Sequence, residues 1–222
     1  MNSTHNFSNT FSLTDEIADI IRQRILKGES RIGEKIKETQ IATELKVSRT
    51  PIREAFKQLE NEGLIDYIPN RGCYAKGFTM QDIEDIYAVR KALEVLAVEW
   101  AVERITPEEI QSLQEQSDLM EFYTARKDSK KVLEINSDFH TIIYNAAGSR
   151  FMAQVLRSYK EYIEQTRKAL SYKQEYLEDI FAEHLEILKA LRDKDAERAK
   201  NAMARHLEGS QKRAKFIYNI KE

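Results

Sequence analysis

The chain has 222 residues with 35 Lys and Arg against 37 Asp and Glu, and its formal net charge of −2 excludes a strongly basic, histone-like protein. Its 7 glycines, 3 prolines and 32 % charged residues favour a helical globular protein over a β-sandwich or a disordered chain. The single cysteine, Cys73, excludes a disulfide framework within the chain, and since no apolar run approaches the roughly 18 residues of a membrane span, we expect a cytoplasmic protein.

The N-terminal third predicts three short helices followed by a hairpin. Residues 1–12 are rich in Asn, Ser and Thr and are expected to form a flexible tail. Helices are then predicted up to Gly28, over 38–45, and from Ser48 to Gly63. Two extended runs, 64–68 and 73–78, flank a turn-forming Pro-Asn-Arg-Gly sequence. This is the element order of a winged helix-turn-helix.

The start of the third helix carries residues suited to DNA. Arg49 and Arg53 are four residues apart and share one face, opposite an apolar stripe, and arginine can donate two hydrogen bonds to guanine O6 and N7. Ser48 and Thr50 can hold phosphates, and Arg71 at the hairpin tip can reach the minor groove or the backbone. For two arginines taken alone, a solvated basic helix face is the competing interpretation.

The stretch from Leu13 to Lys76 resembles the DNA-binding domain of the GntR family of bacterial transcription regulators. The residues that carry the resemblance are Ile25, Gly28, Gly33, Glu38, Ile41, Ala42, Leu45, Val47, the block Ser48-Arg49-Thr50-Pro51-Ile52-Arg53-Glu54-Ala55, Leu59, Glu60, Gly63, Leu64, Arg71 and Gly72. The resemblance implies that Ser48, Arg49, Thr50 and Arg53 contact operator DNA and that Gly72 lets the wing approach it closely. Thr39 stands where some relatives have an arginine against the phosphates, so we expect a weaker contact there.

From Thr79 onward the sequence predicts helices alone. Six segments are expected, at about 80–104, 106–127, 129–147, 149–170, 173–192 and 195–218. Thr106-Pro107-Glu108-Glu109 begins one of them with a cap, a proline at the first position and acids in the first turn. The predicted fold is therefore mainly α, with a winged helix-turn-helix over 13–78 and an all-helical bundle over 79–222.

Three of the four histidines fall on apolar stripes of different helices. These are His140, His184 and His206. A single inward histidine is most simply a satisfied core residue, but three of them on one small bundle indicate a shared purpose. A metal ion can bind three imidazoles at once, with the outer ring nitrogens held by nearby acceptors.

Residues 80 to about 215 resemble the FCD ligand-binding domain of the FadR-type branch of GntR regulators, in its shorter, VanR-like form. The residues that carry this resemblance are Arg90, Leu93, Glu94, Phe139-His140, Ala147-Gly148, Glu183-His184, Ile187, Leu188, Ala190, Leu191, Asp195, Ala196, Met203 and His206-Leu207. It implies that an aspartate and three histidines bind a divalent metal, commonly zinc or nickel, which helps to hold a small organic acid. Asn136 stands at the aspartate position, and Asp138 points away from it.

The asparagine changes the expected electrostatics. Three imidazoles and an amide leave a divalent charge uncompensated, so we expect weaker metal binding and a stronger pull on an anionic ligand. Asn136 remains a candidate metal ligand and a candidate contact to the effector. Arg90 lies on an apolar stripe, where a charge needs a partner. It is expected either to pair with Glu94 or to bind a ligand carboxylate through two parallel hydrogen bonds. Tyr87 and Tyr144 are candidate lining residues.

We expect a transcription regulator, a repressor rather than an enzyme, that binds double-stranded operator DNA and a small carboxylate effector. A homodimer is expected, because one reading helix is too small for specificity. The alternatives are a metal-free effector pocket, a metal-dependent enzyme, and a DNA-binding protein with a merely structural helical domain. An enzyme would need a placed general base, and Glu183 is expected to turn away from the histidines.

Overall fold

The structure, a computed structural model, describes residues 12–26, 29–69, 71–76, 79–157 and 174–221. The chain divides into two compact units, Met1–Thr79 and Met80–Glu222. Each unit has its own buried apolar residues.

The N-terminal unit is a winged helix-turn-helix, as predicted. Its elements in chain order are α1 (Leu13–Leu26), β1 (Lys35–Ile36), α2 (Glu38–Leu45), α3 (Arg49–Asn61), β2 (Ile65–Ile68) and β3 (Gly72–Ala75). The strands form an antiparallel sheet in the order β1-β3-β2. The pattern does not predict β1, because two residues are too few to show a strand period. Gly28 and residues 77–78, expected to end α1 and the second extended run, lie outside the described residues.

One buried stripe holds α3 in the unit. Its members are the apolar residues expected from the sequence, Ile52, Ala55, Phe56 and Leu59. The helix packs against α1, whose Ile17 and Ile21 are also buried. Since one side of α3 is committed to the core, its opposite side, with Arg49 and Arg53, faces solvent.

The wing requires glycine where β3 begins. Gly72 has a φ of +104°, a left-handed backbone conformation that side chains disfavour. A Cβ at this position would lie 3.1 Å from Lys35 Cε on the neighbouring β1. Backbone conformation and close packing against Lys35 therefore both favour glycine here.

The described residues of the C-terminal unit are helical, as predicted. Its elements are α4 (Met80–Arg104), α5 (Pro107–Ala125), α6 (Ser129–Ala146), α7 over 150–157, a 3₁₀ turn at Gln174–Tyr176, α8 (Leu177–Arg192) and α9 (Ala196–Lys221). Of the segment predicted at 149–170, the structure describes only the part up to residue 157. No helix within these described ranges is long and apolar enough to cross a bilayer.

The predicted start of α5 is a complete capping box. The Thr106 hydroxyl accepts a hydrogen bond from the Glu109 N–H at 3.2 Å, and the Glu109 carboxylate accepts one from the Thr106 N–H at 3.0 Å. Pro107 occupies the first helical position. These contacts satisfy backbone donors that the helix itself leaves unpaired.

Three polar side-chain contacts join helices α4 and α9. The hydroxyls of Tyr87 and Ser210 are 3.0 Å apart, and Lys91 Nζ donates to Glu208 at 2.5 Å. Lys215 is paired with Glu84 nearer the start of α4. Apolar residues of α4, α5, α6, α8 and α9 form the core beside these polar contacts.

Candidate functional sites

The proposed DNA-reading residues share the exposed beginning of α3. Ser48 occupies the N-cap position with an extended backbone, and its side chain makes no capping hydrogen bond. Arg49, Thr50 and Arg53 are all exposed. The structure therefore brings together, on one solvent-facing surface, two arginines and two hydroxyls that suit bases and phosphates.

A cleft of about 630 Å³ lies between the wing and the part of α3 that carries Arg53. Residues from each neighbouring element line it, among them Lys35, Lys37, Thr39, Arg53, Lys57 and Gly72. Thr39 and Gly72, predicted at separate points of the chain, thus border the same cleft as Arg53. Arg71 is exposed at the turn that leads into β3. The lining holds four cationic side chains against two carboxylates, those of Glu38 and Glu60, and this excess of positive charge suits the sugar-phosphate backbone of a nucleic acid.

Cys73 borders the same cleft but is a buried residue. Burial raises the pKa of its thiol to about 11, and Glu60 and Glu38 add to the rise. A thiol with this pKa is protonated at neutral pH and is a poor nucleophile and a poor metal ligand. Its role in the structure is to pack.

Three histidines converge inside the helical unit. His140 on α6, His184 on α8 and His206 on α9 are each at most 3 % exposed. Each offers a ring nitrogen within 4.8 Å of those of the other two. The rings of His184 and His206 have centroids 4.5 Å apart, and His140 Nε2 lies 3.1 Å from His206 Nε2. We call these three side chains the histidine cluster.

The outer nitrogen of each ring faces an oxygen. His184 Nδ1 lies 2.6 Å from the Ile180 carbonyl oxygen, and His206 Nδ1 lies 2.9 Å from Glu183 Oε2. His140 Nδ1 lies 3.0 Å from Glu94 Oε2. An Nδ1–H that faces an acceptor leaves the lone pair on Nε2, the nitrogen that can bind a metal. The donor set and its orientation therefore fit a divalent cation.

Arg90 lies beside the cluster and is paired with Glu94. Arg90 Nε donates to Glu94 Oε1 at 2.7 Å, and both side chains are buried. Burial raises the pKa of the Glu94 carboxyl, but the charges of Arg90 and His140 and their hydrogen bonds outweigh it and hold that pKa well below its usual range. Of the two interpretations of Arg90, the structure shows the ion pair. Glu94 also faces His140, a contact that the sequence analysis missed.

The expectation that Glu183 turns away from the histidines is wrong. Its Oε2 faces His206 Nδ1, and Arg213 donates to its two oxygens at 2.8 Å and 2.7 Å. The helix position alone is misleading, because α9 packs beside α8 and brings His206 to the Glu183 side. Arg213 is also missed, although it lies two turns after His206 on the same face of α9.

Asn136 is buried one turn before His140 on α6. It lines a small cavity together with His206 and Arg213. The space open to water centres is about 10 Å³, which is room for about one water molecule. Asp138 is exposed, as expected. Asn136 is therefore positioned beside the cluster.

Tyr87 lies beside Arg90, and Tyr144 lies beside the histidine cluster. The Arg90 guanidinium lies 5.0 Å from the centroid of the Tyr87 ring, and the Tyr144 ring lies 5.9 Å from that of His140. Both tyrosines are buried. Their contact with an effector stays a prediction.

The sequence matches two known families. Residues 13–75 match the family described as "Bacterial regulatory proteins, gntR family", and residues 85–209 match the FCD domain. The uncharacterized HTH-type transcriptional regulator YdhC of Bacillus subtilis (strain 168) is 31 % identical over 189 residues, covering 84 % of each chain. The HTH-type transcriptional repressor RspR of Escherichia coli (strain K12) is 25 % identical over 199 residues, covering 90 % of this chain and 87 % of its own.

Solved structures share the fold over nearly the whole chain. Escherichia coli McbR/YncC has a TM-score of 0.70 at 20 % identity, over 96 % of this chain and all of that one. A GntR transcriptional regulator from Rhodococcus sp. RHA1 has a TM-score of 0.67 at 25 % identity, over 92 % of this chain and 98 % of its own. YdhC, RspR and McbR are all named as transcriptional regulators, and none of them is named as an enzyme.

Proposed function

Because the chain belongs to the GntR family of bacterial transcription regulators with an FCD domain, it is a DNA-binding regulator, and we propose that it is a repressor controlled by a small organic acid. In this proposal the acid binds beside a zinc or nickel ion in the histidine cluster. The name of its relative RspR supports repression. The proposed location is the cytoplasm, where operator DNA and metabolic acids are found together.

The proposed operator contacts are made by the exposed start of α3 and by the wing. Arg49 and Arg53 donate to base edges, while Ser48 and Thr50 bind phosphates. Arg71 on the wing reaches the minor groove or the backbone, Gly72 lets the wing approach closely, and Thr39 makes a weaker contact. We propose a homodimer, because paired half-sites supply the specificity that one reading helix lacks.

Substitution of Arg49 tests the reading surface. A duplex is first selected from a random library by the unmodified protein, and its affinity is then measured in a gel-shift titration. Arg49→Ala is expected to lose about 1–3 kcal/mol of specific binding. Arg126→Ala, which removes one positive charge at the end of α5, is the control and should bind as the unmodified protein does. Unchanged affinity of Arg49→Ala would remove the residue from the reading surface.

His140, His184 and His206, with Asn136 as a fourth candidate, would hold the metal. One observation carries this proposal: the outer nitrogen of every ring faces an oxygen, so that Nε2 is the nitrogen each ring can offer. A bound ion would supply positive charge that attracts an anionic ligand.

The surrounding side chains would leave the charge of a bound ion uncompensated. Arg90 is matched by Glu94 and Arg213 by Glu183, so the four side chains add no net charge around the cluster. A divalent ion bound by neutral ligands keeps its charge, and a carboxylate can compensate it. The candidate effector contacts are Asn136, Arg90, Tyr87 and Tyr144.

Metal analysis combined with thermal unfolding tests the sensing proposal. We expect about one zinc or nickel per chain, a lower Tm after chelation, and stabilisation by organic acids that needs the metal. His206→Gln should lose the metal, whereas His5→Ala, which removes the fourth histidine, should keep it. A metal-free protein whose Tm rises with the same acids would instead support a pocket in which the histidines bind the effector directly. Asn136 in place of a carboxylate is the observation that favours that second candidate.

A further inference from the structure

An ion pair joins the reading helix to the preceding helix. Arg53 Nε on α3 donates to Oε1 of Glu38, the first residue of α2, at 3.0 Å. The Arg53 side chain is 63 % exposed and that of Glu38 is 24 % exposed. Glu38 thus contacts Nε of an arginine whose side chain is otherwise mostly exposed to solvent.

Stability gives little reason for this pair. An exposed ion pair contributes little to the stability of a fold, because water screens the charges and both side chains lose rotamer freedom. Glu38 lines the cleft that also holds Lys35, Lys37 and Lys57. In a cleft suited to a nucleic-acid backbone, a carboxylate repels phosphates and lowers affinity for DNA of every sequence. Because Glu38 is expected to lower the affinity for DNA in general, electrostatic attraction to phosphates cannot be its role.

The chemistry of arginine supplies that explanation. Guanine presents two acceptors, O6 and N7, and a guanidinium satisfies both only when its plane is correctly oriented. An unrestrained arginine loses more rotamer entropy on binding than an arginine that is already held in one orientation. A carboxylate on Nε restrains the plane and leaves the terminal nitrogens, Nη1 and Nη2, to address the base.

We propose that Glu38 is a positioning residue that orients Arg53 for guanine, and that it increases selectivity at one base pair of each half-site while lowering overall affinity. The proposal rests on the proposed contact between Arg53 and operator bases. A competing explanation is that Glu38 serves only as an acid in the first turn of α2, where it complements the helix dipole.

Selection from a random duplex library separates these explanations. Full-length unmodified protein, Arg53→Ala, Glu38→Ala and Glu38→Gln are each taken through the same selection. The preference at every position is then measured by titration of single-base variants and of a scrambled duplex. Glu54→Ala is the matched control, because Glu54 also lies on the α3 surface but is paired with Lys57 instead of Arg53.

We expect the unmodified protein to select a guanine that Arg53→Ala no longer distinguishes. Glu38→Ala should reduce the preference for this same guanine at least fivefold while binding the scrambled duplex as tightly as before or more tightly. Glu38→Gln, whose amide oxygen can still accept from Nε, should retain part of the preference. Glu54→Ala should retain all of it. Adding Glu38→Ala to Arg53→Ala should remove no further preference.

Two results would overturn the proposal and leave DNA reading by Arg53 in place. One is an unchanged guanine preference in Glu38→Ala, and the other is an equal loss of affinity for every duplex, as expected from damage to α2. Failure of the unmodified protein to select any sequence would overturn the reading surface itself, and the proposal for Glu38 with it.

Discussion

Glu183 accepts two hydrogen bonds from Arg213, at 2.8 Å and 2.7 Å, while the oxygen with the shorter bond also faces His206. A carboxylate in this position neutralises a buried arginine and orients an imidazole at the same time. The two functions belong to one side chain on α8, and both partners lie on α9.

Replacement of Glu183 should therefore weaken metal binding without touching a ligand. We expect Glu183→Gln to lose roughly 10–100-fold in affinity for the metal, because the outer nitrogen of His206 then lacks a charged acceptor. The measurement is competition with a chromophoric chelator. Glu186→Gln, on the same helix but paired with Arg198, should change nothing. Equal affinities for both variants would contradict the orienting role.

Asn136→Asp should strengthen metal binding. A carboxylate beside the cluster compensates part of the divalent charge, so affinity for the metal should rise roughly tenfold or more. The same change should weaken stabilisation by organic acids, because less positive charge is left for them. Chelator competition and thermal unfolding measure the two effects, with Asp138→Asn at an exposed neighbouring position as the control. A loss of metal affinity would exclude Asn136 from the site.

Removal of one partner from the buried pair of Arg90 and Glu94 should strongly lower the free energy of unfolding. Arg90→Met leaves the Glu94 carboxylate buried without its cation, and we expect a loss of about 3–5 kcal/mol in the free energy of unfolding. Lys91→Met breaks a pair whose members, Lys91 and Glu208, are 47 % and 50 % exposed and should cost at most about 1 kcal/mol. Urea unfolding in the presence of a chelator gives both values. Similar losses would mean that the buried pair is not important for stability.

Two lysines in left-handed conformations should respond oppositely to glycine. Lys46 has a φ of +55° in the turn between α2 and α3, and Lys46→Gly should stabilise the protein by about 0.5–1 kcal/mol. Lys194 has a φ of +56°, but its Nζ donates to the carbonyl oxygens of Val102 and Ile105 at 2.9 Å and 3.1 Å. Lys194→Gly should destabilise the protein, because the lost hydrogen bonds outweigh the relief of strain. Thermal unfolding without DNA measures both signs.

Cys73 should resist thiol reagents in the folded protein. Its pKa of about 11 means that the thiolate forms only as the pH rises well beyond the ordinary range near 9. At pH 7.5 we expect almost no reaction with a disulfide reagent in an hour, and one thiol per chain in urea. Rapid labelling of the native protein would show that the wing opens to solvent.

Local patterns are sufficient to predict most of the described helices and the burial of the three histidines. Each of the three histidines lies on an apolar stripe, so its burial follows from helical periodicity alone. The capping sequence at Thr106 likewise determined its helix start without help from the rest of the chain. Convergence of the rings could be expected because a small bundle has one interior.

Contacts between side chains of different helices could not be predicted from the sequence. The position of Glu183 on its helix predicts the wrong direction for its side chain, because a helical wheel does not show which neighbouring helix packs beside it. The pairing of Arg213 with Glu183 and that of Arg53 with Glu38 depend in the same way on how two helices pack. Two-residue β1 was missed for a different reason, since it is defined by its partner strand and not by its own pattern.

The cluster draws its rings from three helices and one of its acceptors from a fourth, α4. An ion bound there would be a reversible cross-link. It would join segments that are distant along the chain at one point, as a covalent cross-link does, and the segments would separate again when the ion dissociates. The rigidity of this half of the molecule would then follow the supply of metal in its surroundings, before any acid arrives.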